Sequence, residues 1–249
     1  MIRIEHVEVY GWEAAIRGAR NAMNSWDKSD SGVGCLEEGC LCRNCPNERY
    51  PGDCAGELII GPNDLKLMMS LIKAGDDHGK AARYLDVLVD ITAPLYWWKE
   101  FRTYRKGRKF MDDGDDFTDV DDLEMHIEMN SCSTMHKIHA KEFTLDDFSH
   151  EHLNGPGCVL LGSIIAELNY NRSRFLETGE KEYWWQMIQL LPSSYNQKRT
   201  VKLNYQTLKR MYNARKNHKL DEWREVCKWI ESLPYSELIT GEEATDGER

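Results

Sequence analysis

The stretch Tyr84-Leu-Asp-Val-Leu-Val-Asp-Ile-Thr-Ala-Pro-Leu-Tyr-Trp-Trp-Lys-Glu-Phe101 changes its periodicity partway along. Over 84–92, Leu85, Val87, Val89 and Ile91 alternate with their neighbours, the pattern of a strand with one buried face. Pro94 fits the first turn of a helix, where a missing N–H leaves nothing unpaired. Beyond it Trp97, Trp98 and Phe101 recur at helical spacing. A strand running straight into a helix sets an α+β character for the chain.

Outward from this centre, 2–10 (IRIEHVEVY) reads as a second strand. Residues 12–26 read as a helix, with Ala15, Ala19, Ala22 and Met23 at helical spacing. Further helices are predicted over 61–75, 159–177, 181–191, 205–216 and 220–233, and a frayed tail over 241–249. Two segments interrupt the pattern. One is a Cys-rich insertion at 35–54. The other is an acidic insertion at 107–128, preceded by the bases of 99–109. Without repeats, the pattern is a helix-rich single domain over 1–240 with few strands.

The chain has 249 residues, 41% of them hydrophobic and 30% charged, enough apolar material for a real core. Acids outnumber bases by 42 to 32, for a net charge of −10, which argues against a general cationic coat for nucleic acid. No apolar run approaches the roughly 20 residues of a membrane helix. Residues 1–5 alternate like a strand and lack a signal peptide's apolar region. These features predict a soluble, cytoplasmic protein with no membrane partner. In a reducing compartment, clustered cysteines point to metal before disulfides. Cys40, Cys42, Cys45 and Cys54 suit a tetrahedral zinc site, with Cys35 in reserve. A reduced, unliganded loop is the alternative.

Residues 198–219 carry Lys198, Arg199, Lys202, Lys209, Arg210, Arg215, Lys216 and Lys219 and no acid. That run is either a solvated face or a surface for an anion such as a phosphate. Arg215 continues the apolar stripe of Leu208, Met211 and Tyr212. It either snorkels at the stripe's edge or points a guanidinium fork into a ligand pocket. Asn130-Ser-Cys-Ser-Thr-Met-His136 offers hydroxyls for an anion or a base edge, or is an ordinary capped loop. The pairs Trp97-Trp98 and Trp184-Trp185 read as core. Asp112-Asp-Gly-Asp-Asp lacks the order of ligands of a calcium-binding EF-hand loop. No dinucleotide-binding glycine fingerprint, phosphate-binding P-loop or serine-hydrolase elbow is present.

The order of these features resembles the flavin-dependent thymidylate synthases, from the first strand to about Pro234. In that family a histidine precedes a strand ending in Ala-Pro. A helix with Arg-Gln-x-x-Arg-His-Arg follows, then Ser-x-Asn-Glu-x-Ser-x-Arg-Tyr, and later Leu-Pro, Asn-x-Arg-x-Leu and an arginine on the same helix. Here these places hold His78, Ala93-Pro94, Trp98-Lys-Glu-Phe-Arg-Thr-Tyr-Arg105, Asn130–His136, Leu191-Pro192, Asn204-Tyr-Gln-Thr-Leu208 and Arg215. The chain departs from the motif at Tyr104, Ser131, Met135 and Ile188. These stand for the motif's histidine, its glutamate and two phosphate-contacting arginines.

The resemblance implies a helix-rich single domain with a small antiparallel sheet. It implies methylation of dUMP to dTMP with FAD, NADPH and methylene-tetrahydrofolate, in a homotetramer whose subunits share active sites. It places Arg215 and Ser133 in catalysis and in substrate binding. Glu100 and Arg102 join them on the substrate, and His78, Arg105 and Asn204 on the flavin. Lys198 and Arg199 are candidates to replace the missing phosphate contacts. Two other readings stand beside this one. One is a catalytically silent relative that binds a nucleotide or flavin. The other is a zinc-containing nucleic-acid or protein interaction module.

Overall fold

The computed structural model describes residues 2–34, 57–105 and 127–241. The four candidate zinc ligands, almost all of the acidic insertion and residues 242–249 lie outside the described residues. In chain order the elements are β1 (Arg3–Tyr10), α1 (Trp12–Asn21), β2 (Gly32–Gly34), β3 (Glu57–Ile59), α2 (Pro62–Lys73), β4 (Asp86–Pro94) and α3 (Leu95–Phe101). They continue with β5 (Glu128–Ser131), α4 (Gly155–Thr178), α5 (Lys181–Leu190), β6 (Asn196–Asn204), α6 (Tyr205–Arg215), α7 (Asp221–Glu231) and α8 (Glu237–Thr240). No described helix is long and apolar enough to cross a membrane.

The fold is helix-rich with a small sheet of order β1-β4-β6-β5. β5 and β6 are antiparallel, with Asn130 opposite Thr200 and Ser131 opposite Arg199. β2 and β3 form a separate antiparallel ribbon. In β4 the alternation holds: Val87, Val89 and Ile91 are buried while Asp86, Leu88 and Asp90 are half-exposed. β6 was hidden in the basic run. Its buried face is Gln197, Arg199, Val201 and Leu203, so a polar and a charged residue break the apolar alternation.

The described chain falls into two compact units. The first comprises Met1–Val7, Leu88–Lys202 and His218–Val226. One of its cores gathers Ile138, Phe143, Phe148, Leu161, Leu168, Met187 and Tyr195 under α4 and α5. A second cluster is aromatic: the Trp97 ring lies 4.9 Å from Trp98 and 4.9 Å from Trp223, with Phe101 beside them. The Trp98 indole N–H donates to the Gln197 carbonyl at 2.9 Å. The tryptophan pair 97–98 is therefore core. Trp185, by contrast, is 42% exposed.

The second unit comprises Glu8–Val87, Leu203–Asn217 and Cys227–Arg249. α1, α2 and α6 pack around the 3-10 turn Gly79–Tyr84, and α8 packs against α2 and α6. Gly11, at φ +96°, is required there: a Cβ would lie 1.8 Å from the Tyr84 carbonyl oxygen. The unit also holds a buried ion pair, Arg20 Nε to Asp64 Oδ1 at 2.6 Å. Asp64 accepts from Ser29 Oγ and from the N–H and hydroxyl of Ser31 as well. Burial pushes its carboxyl pKa up, but hydrogen bonds from Ser31, Ser29 and Arg20 outweigh that and hold it at about 2. The helix expected over 12–26 stops at Asn21. Arg20 reaches Ser25 and the Lys28 carbonyl, folding the chain back into a 3-10 turn over Trp26–Lys28.

Candidate functional site

The residues expected at the site divide between the two units. Glu100, Arg102 and Ser133 lie in the first, and His78, Asn204 and Arg215 in the second. The Arg105 side chain lies outside the described residues.

In the first unit, Ser133 follows β5 in an exposed turn. Its Oγ accepts from the backbone N–H of Met135 and of Lys137, both at 3.3 Å. An oxygen with both lone pairs engaged keeps its own hydrogen to donate. Ser133 is thus a surface hydroxyl whose own hydrogen is left to donate. Glu100 ends α3, half-buried. Its Oε2 accepts from the Trp223 indole at 2.9 Å and lies 3.7 Å from His218 Nε2. Tyr104, at the motif's histidine place, sets its ring 5.8 Å from that of Trp223. Arg102 is exposed.

In the second unit, Asn204 caps α6, its side-chain oxygen accepting from Thr207 N–H at 2.9 Å. Only the amide N–H groups of Asn204 remain to face a ligand. His78 is exposed just before the turn Gly79–Tyr84. Arg215 sits half-buried in the last turn of α6, along the line of buried Leu208, Met211 and Tyr212. Tyr212 is pinned in turn, donating to Glu231 at 2.9 Å.

The basic run 198–219 is shared between the two units, and four of its bases hold partners of their own. Lys198 pairs with Asp90 at 3.1 Å and Glu5 at 3.3 Å. Its bond and that of Thr200 hold the Asp90 carboxyl below its usual range, Thr200 more strongly. Arg199 is buried, its guanidinium 4.3 Å from the Trp98 ring centre and its Nε and Nη2 on Gln197 Oε1. Lys209 donates to the Ile72 carbonyl and Arg210 pairs with Asp76 at 2.5 Å. Burial raises the Asp76 pKa, but the Arg210 bond and charge outweigh it, so the group titrates low. Lys198 and Arg199, the candidate phosphate contacts, thus each hold partners within the first unit. Met135 is 48% exposed, and Ile188 packs against the core under α4 and α5.

His218 and Trp223 were not anticipated. They reach Glu100 from across more than a hundred residues, and their only local signal is an ordinary helix start at Asp221. Among the described residues, no group of three or more His, Cys, Asp or Glu is placed to hold a metal.

No model of a known protein family matches the sequence. No curated protein matches it by sequence. Solved structures do match by shape. The flavin-dependent thymidylate synthase of Helicobacter pylori, complexed with FAD and dUMP, aligns with TM-score 0.59 over 96% of this chain and 98% of that one, at 14% identity. The UMP/dUMP methylase PolB of Streptomyces cacaoi, bound to 5-bromo-dUMP, aligns with TM-score 0.56 over 97% and 95%, at 13% identity. Its complex with 5-bromo-UMP aligns at 0.54 over 97% and 94%, at 12% identity. Coverage is near-complete in both directions, and the chain has the fold of the flavin-dependent thymidylate synthases.

Proposed function

We propose that the chain is a cytoplasmic, flavin-dependent methyltransferase of a pyrimidine nucleotide. It converts dUMP to dTMP, or acts on a closely related nucleotide, with methylene-tetrahydrofolate as one-carbon donor and NADPH as reductant. The observation that carries this is the match along 96% of the chain to a protein whose structure holds FAD and dUMP.

The residues fit the ligands as follows. His78 is exposed and Asn204 keeps its amide N–H groups, so both offer donors to a flavin, with Arg105 beside them in the motif. When bound, FAD supplies the hydride, and the protein's part is orientation and field. Arg215 stabilises the charge that builds on the pyrimidine carbonyls and N3 as carbon 5 becomes nucleophilic. Ser133, with its hydrogen free to donate, binds a ring oxygen near the reacting carbon. Glu100 stands where the family has glutamine and only accepts, so it suits a ring N–H or a ribose hydroxyl. Exposed Arg102 takes the phosphate in place of the arginines replaced by Met135 and Ile188. A structural zinc on Cys40, Cys42, Cys45 and Cys54 completes the assignment.

A homotetramer is part of the same proposal. Its support is the outer side of α4, where Val159 is 72%, Leu160 63% and Tyr170 57% exposed. Sedimentation of the purified protein distinguishes a tetramer from a monomer.

The second reading is a silent relative that binds a nucleotide or flavin without turnover. It is favoured by the engagement of Glu100 with Trp223 and His218 and by Met135 and Ile188. The interaction-module reading has less support, because Lys198, Arg199, Lys209 and Arg210 of the basic run hold partners within the chain.

The test is formation of dTMP from dUMP with FAD, NADPH and methylene-tetrahydrofolate. Arg215→Ala is expected to lower turnover by about 2.7–4 kcal/mol of transition-state stabilisation, with thermal unfolding unchanged. Undiminished turnover in that variant removes Arg215 from catalysis. Flavin and nucleotide binding without product selects the silent relative.

A further inference from the structure

Within the first unit, the start of α7 is tied to α3 at two points. Tyr96 donates its hydroxyl to Glu222, and Glu100 accepts the Trp223 indole N–H at 2.9 Å. Tyr96 and Glu100 lie one helical turn apart, so both ties fall on one side of α3. The Trp223 ring is locked by packing. It is fully buried, stacked on Phe101 at 15° with ring centres 6.4 Å apart, and lies 4.9 Å from Trp97. Its N–H therefore has one direction, and that direction ends on Glu100 Oε2.

His218 brings a second N–H whose place follows from the backbone. Leu220 N–H donates to His218 Nδ1 at 3.2 Å, so Nδ1 is the accepting nitrogen of the ring. The neutral imidazole then carries its hydrogen on Nε2. Nε2 faces Glu100 Oε2 at 3.7 Å. The His218 backbone is held in turn, its carbonyl accepting from Arg224 Nη1 at 3.3 Å. Two N–H groups on well-fixed rings thus face one oxygen of a half-buried carboxylate. A carboxylate has about four acceptor sites, so these donors orient Glu100 without filling it. A glutamine at this place meets the Trp223 N–H with its carbonyl and turns an NH₂ donor the other way. Glu100 turns a second acceptor there.

We propose that Trp223 and His218 are positioning residues, which aim the Glu100 carboxylate at a hydrogen-bond donor of the nucleotide, a sugar hydroxyl or a ring N–H, and so set nucleotide affinity through Glu100. Side chains locked by packing and by a further shell of hydrogen bonds are what holds a binding group in productive geometry. This role rests on the nucleotide reading above. It concerns binding, so it applies to a silent relative as well as to an active enzyme.

The experiment is calorimetric titration of the full chain, incubated with FAD, with dUMP, across Trp223→Phe, Glu100→Ala and the double variant. Trp223→Phe keeps an aromatic ring in the cluster and loses the N–H. It is expected to weaken dUMP binding by about tenfold, the scale of a charge-assisted contact, and to have no further effect once Glu100 is alanine. A loss that instead adds to that of Glu100→Ala is structural and overturns the role. His218→Leu is expected to weaken binding, and His218→Gln, whose amide N–H reaches about as far as Nε2, to restore it. Equal affinity in those two variants removes His218, and the pair keeps the test decisive if Trp223→Phe does not fold. Two analogues separate the donors: 2′,3′-dideoxy-UMP lacks the sugar hydroxyl and N3-methyl-dUMP lacks the ring N–H. The one that lacks the donor read by Glu100 should bind wild type and Glu100→Ala alike. Equal losses for dUMP and both analogues overturn the role. Unchanged dUMP affinity in a folded Trp223→Phe overturns it and leaves the nucleotide reading standing, whereas no dUMP binding by the wild type overturns both.

Discussion

Helices α4 and α6 invert what their compositions suggest. α4 reads Gly-Pro-Gly-Cys-Val-Leu-Leu-Gly-Ser-Ile-Ile-Ala over its first half, yet only Leu161, Leu168 and Asn171 of its 24 residues are buried. α6 reads Tyr-Gln-Thr-Leu-Lys-Arg-Met-Tyr-Asn-Ala-Arg, yet Tyr205, Gln206, Thr207, Leu208, Met211 and Tyr212 are buried. The difference lies in the neighbours. α6 packs against the turn Gly79–Tyr84 and against α8, and its polar residues find partners there: Gln206 accepts from Arg83, and Tyr205 donates to the Pro234 carbonyl. α4 packs against α5 on one side and leaves an apolar side outward. Burial follows the partners available, not the composition of the helix.

The largest effect expected is in the unit that wraps α6. Asp64→Ala leaves Arg20 buried without its partner and is expected to cost about 3–5 kcal/mol in denaturant unfolding. A loss below about 1 kcal/mol would show that the network is not what holds α1 to α2. The Asp64 pKa is lower in the folded chain, at about 2, than the roughly 3.9 of an unfolded aspartate. Its contribution is therefore complete above about pH 4 and lost as pH falls toward 2. In Asp64→Asn that part of the acid dependence should vanish.

The comparison is sharpest with one chemistry at two sites. Leu208→Ala on α6 removes a fully buried side chain and is expected to cost about 2–5 kcal/mol. Leu160→Ala on α4, at 63% exposure, should change the unfolding free energy of a separated chain by less than about 0.5 kcal/mol. Equal costs would break the contrast. A concentration-dependent loss at Leu160 would instead identify the outer side of α4 as the subunit contact.

Smaller effects are expected at the caps. Asn154 accepts from Gly157 N–H and Asn204 from Thr207 N–H, both at 2.9 Å. Alanine at either should cost about 1 kcal/mol, read by thermal unfolding. Asn204→Ala should also weaken FAD binding, whereas Asn154→Ala should not. Indistinguishable flavin affinity in the two variants would limit Asn204 to its helix.

Much of the scaffold was legible because the local signals agreed. The alternation of β4, Pro94 at the start of α3 and the spacing of Trp97, Trp98 and Phe101 all point to one strand–helix unit. β6 was not legible, since Arg199 on its buried face finds a ring and an amide that lie far off in the sequence or two residues along. The end of α1 was missed for a similar reason: Arg20 answers to Asp64, 44 residues away. Among the candidate residues, Arg215 and Ser133 were singled out by their places in the sequence. The grip of Trp223 and His218 on Glu100 did not, because a tertiary hydrogen bond leaves no periodicity behind.

The proposed reaction needs a flavin and a pyrimidine nucleotide bound together on one protein. Purified protein is incubated with FAD and desalted, its visible absorption spectrum recorded, and dUMP then added. Retained flavin whose spectrum shifts on dUMP addition is expected, with the shift lost in Arg215→Ala. Loss of all flavin on desalting, or a retained flavin indifferent to dUMP, would contradict it.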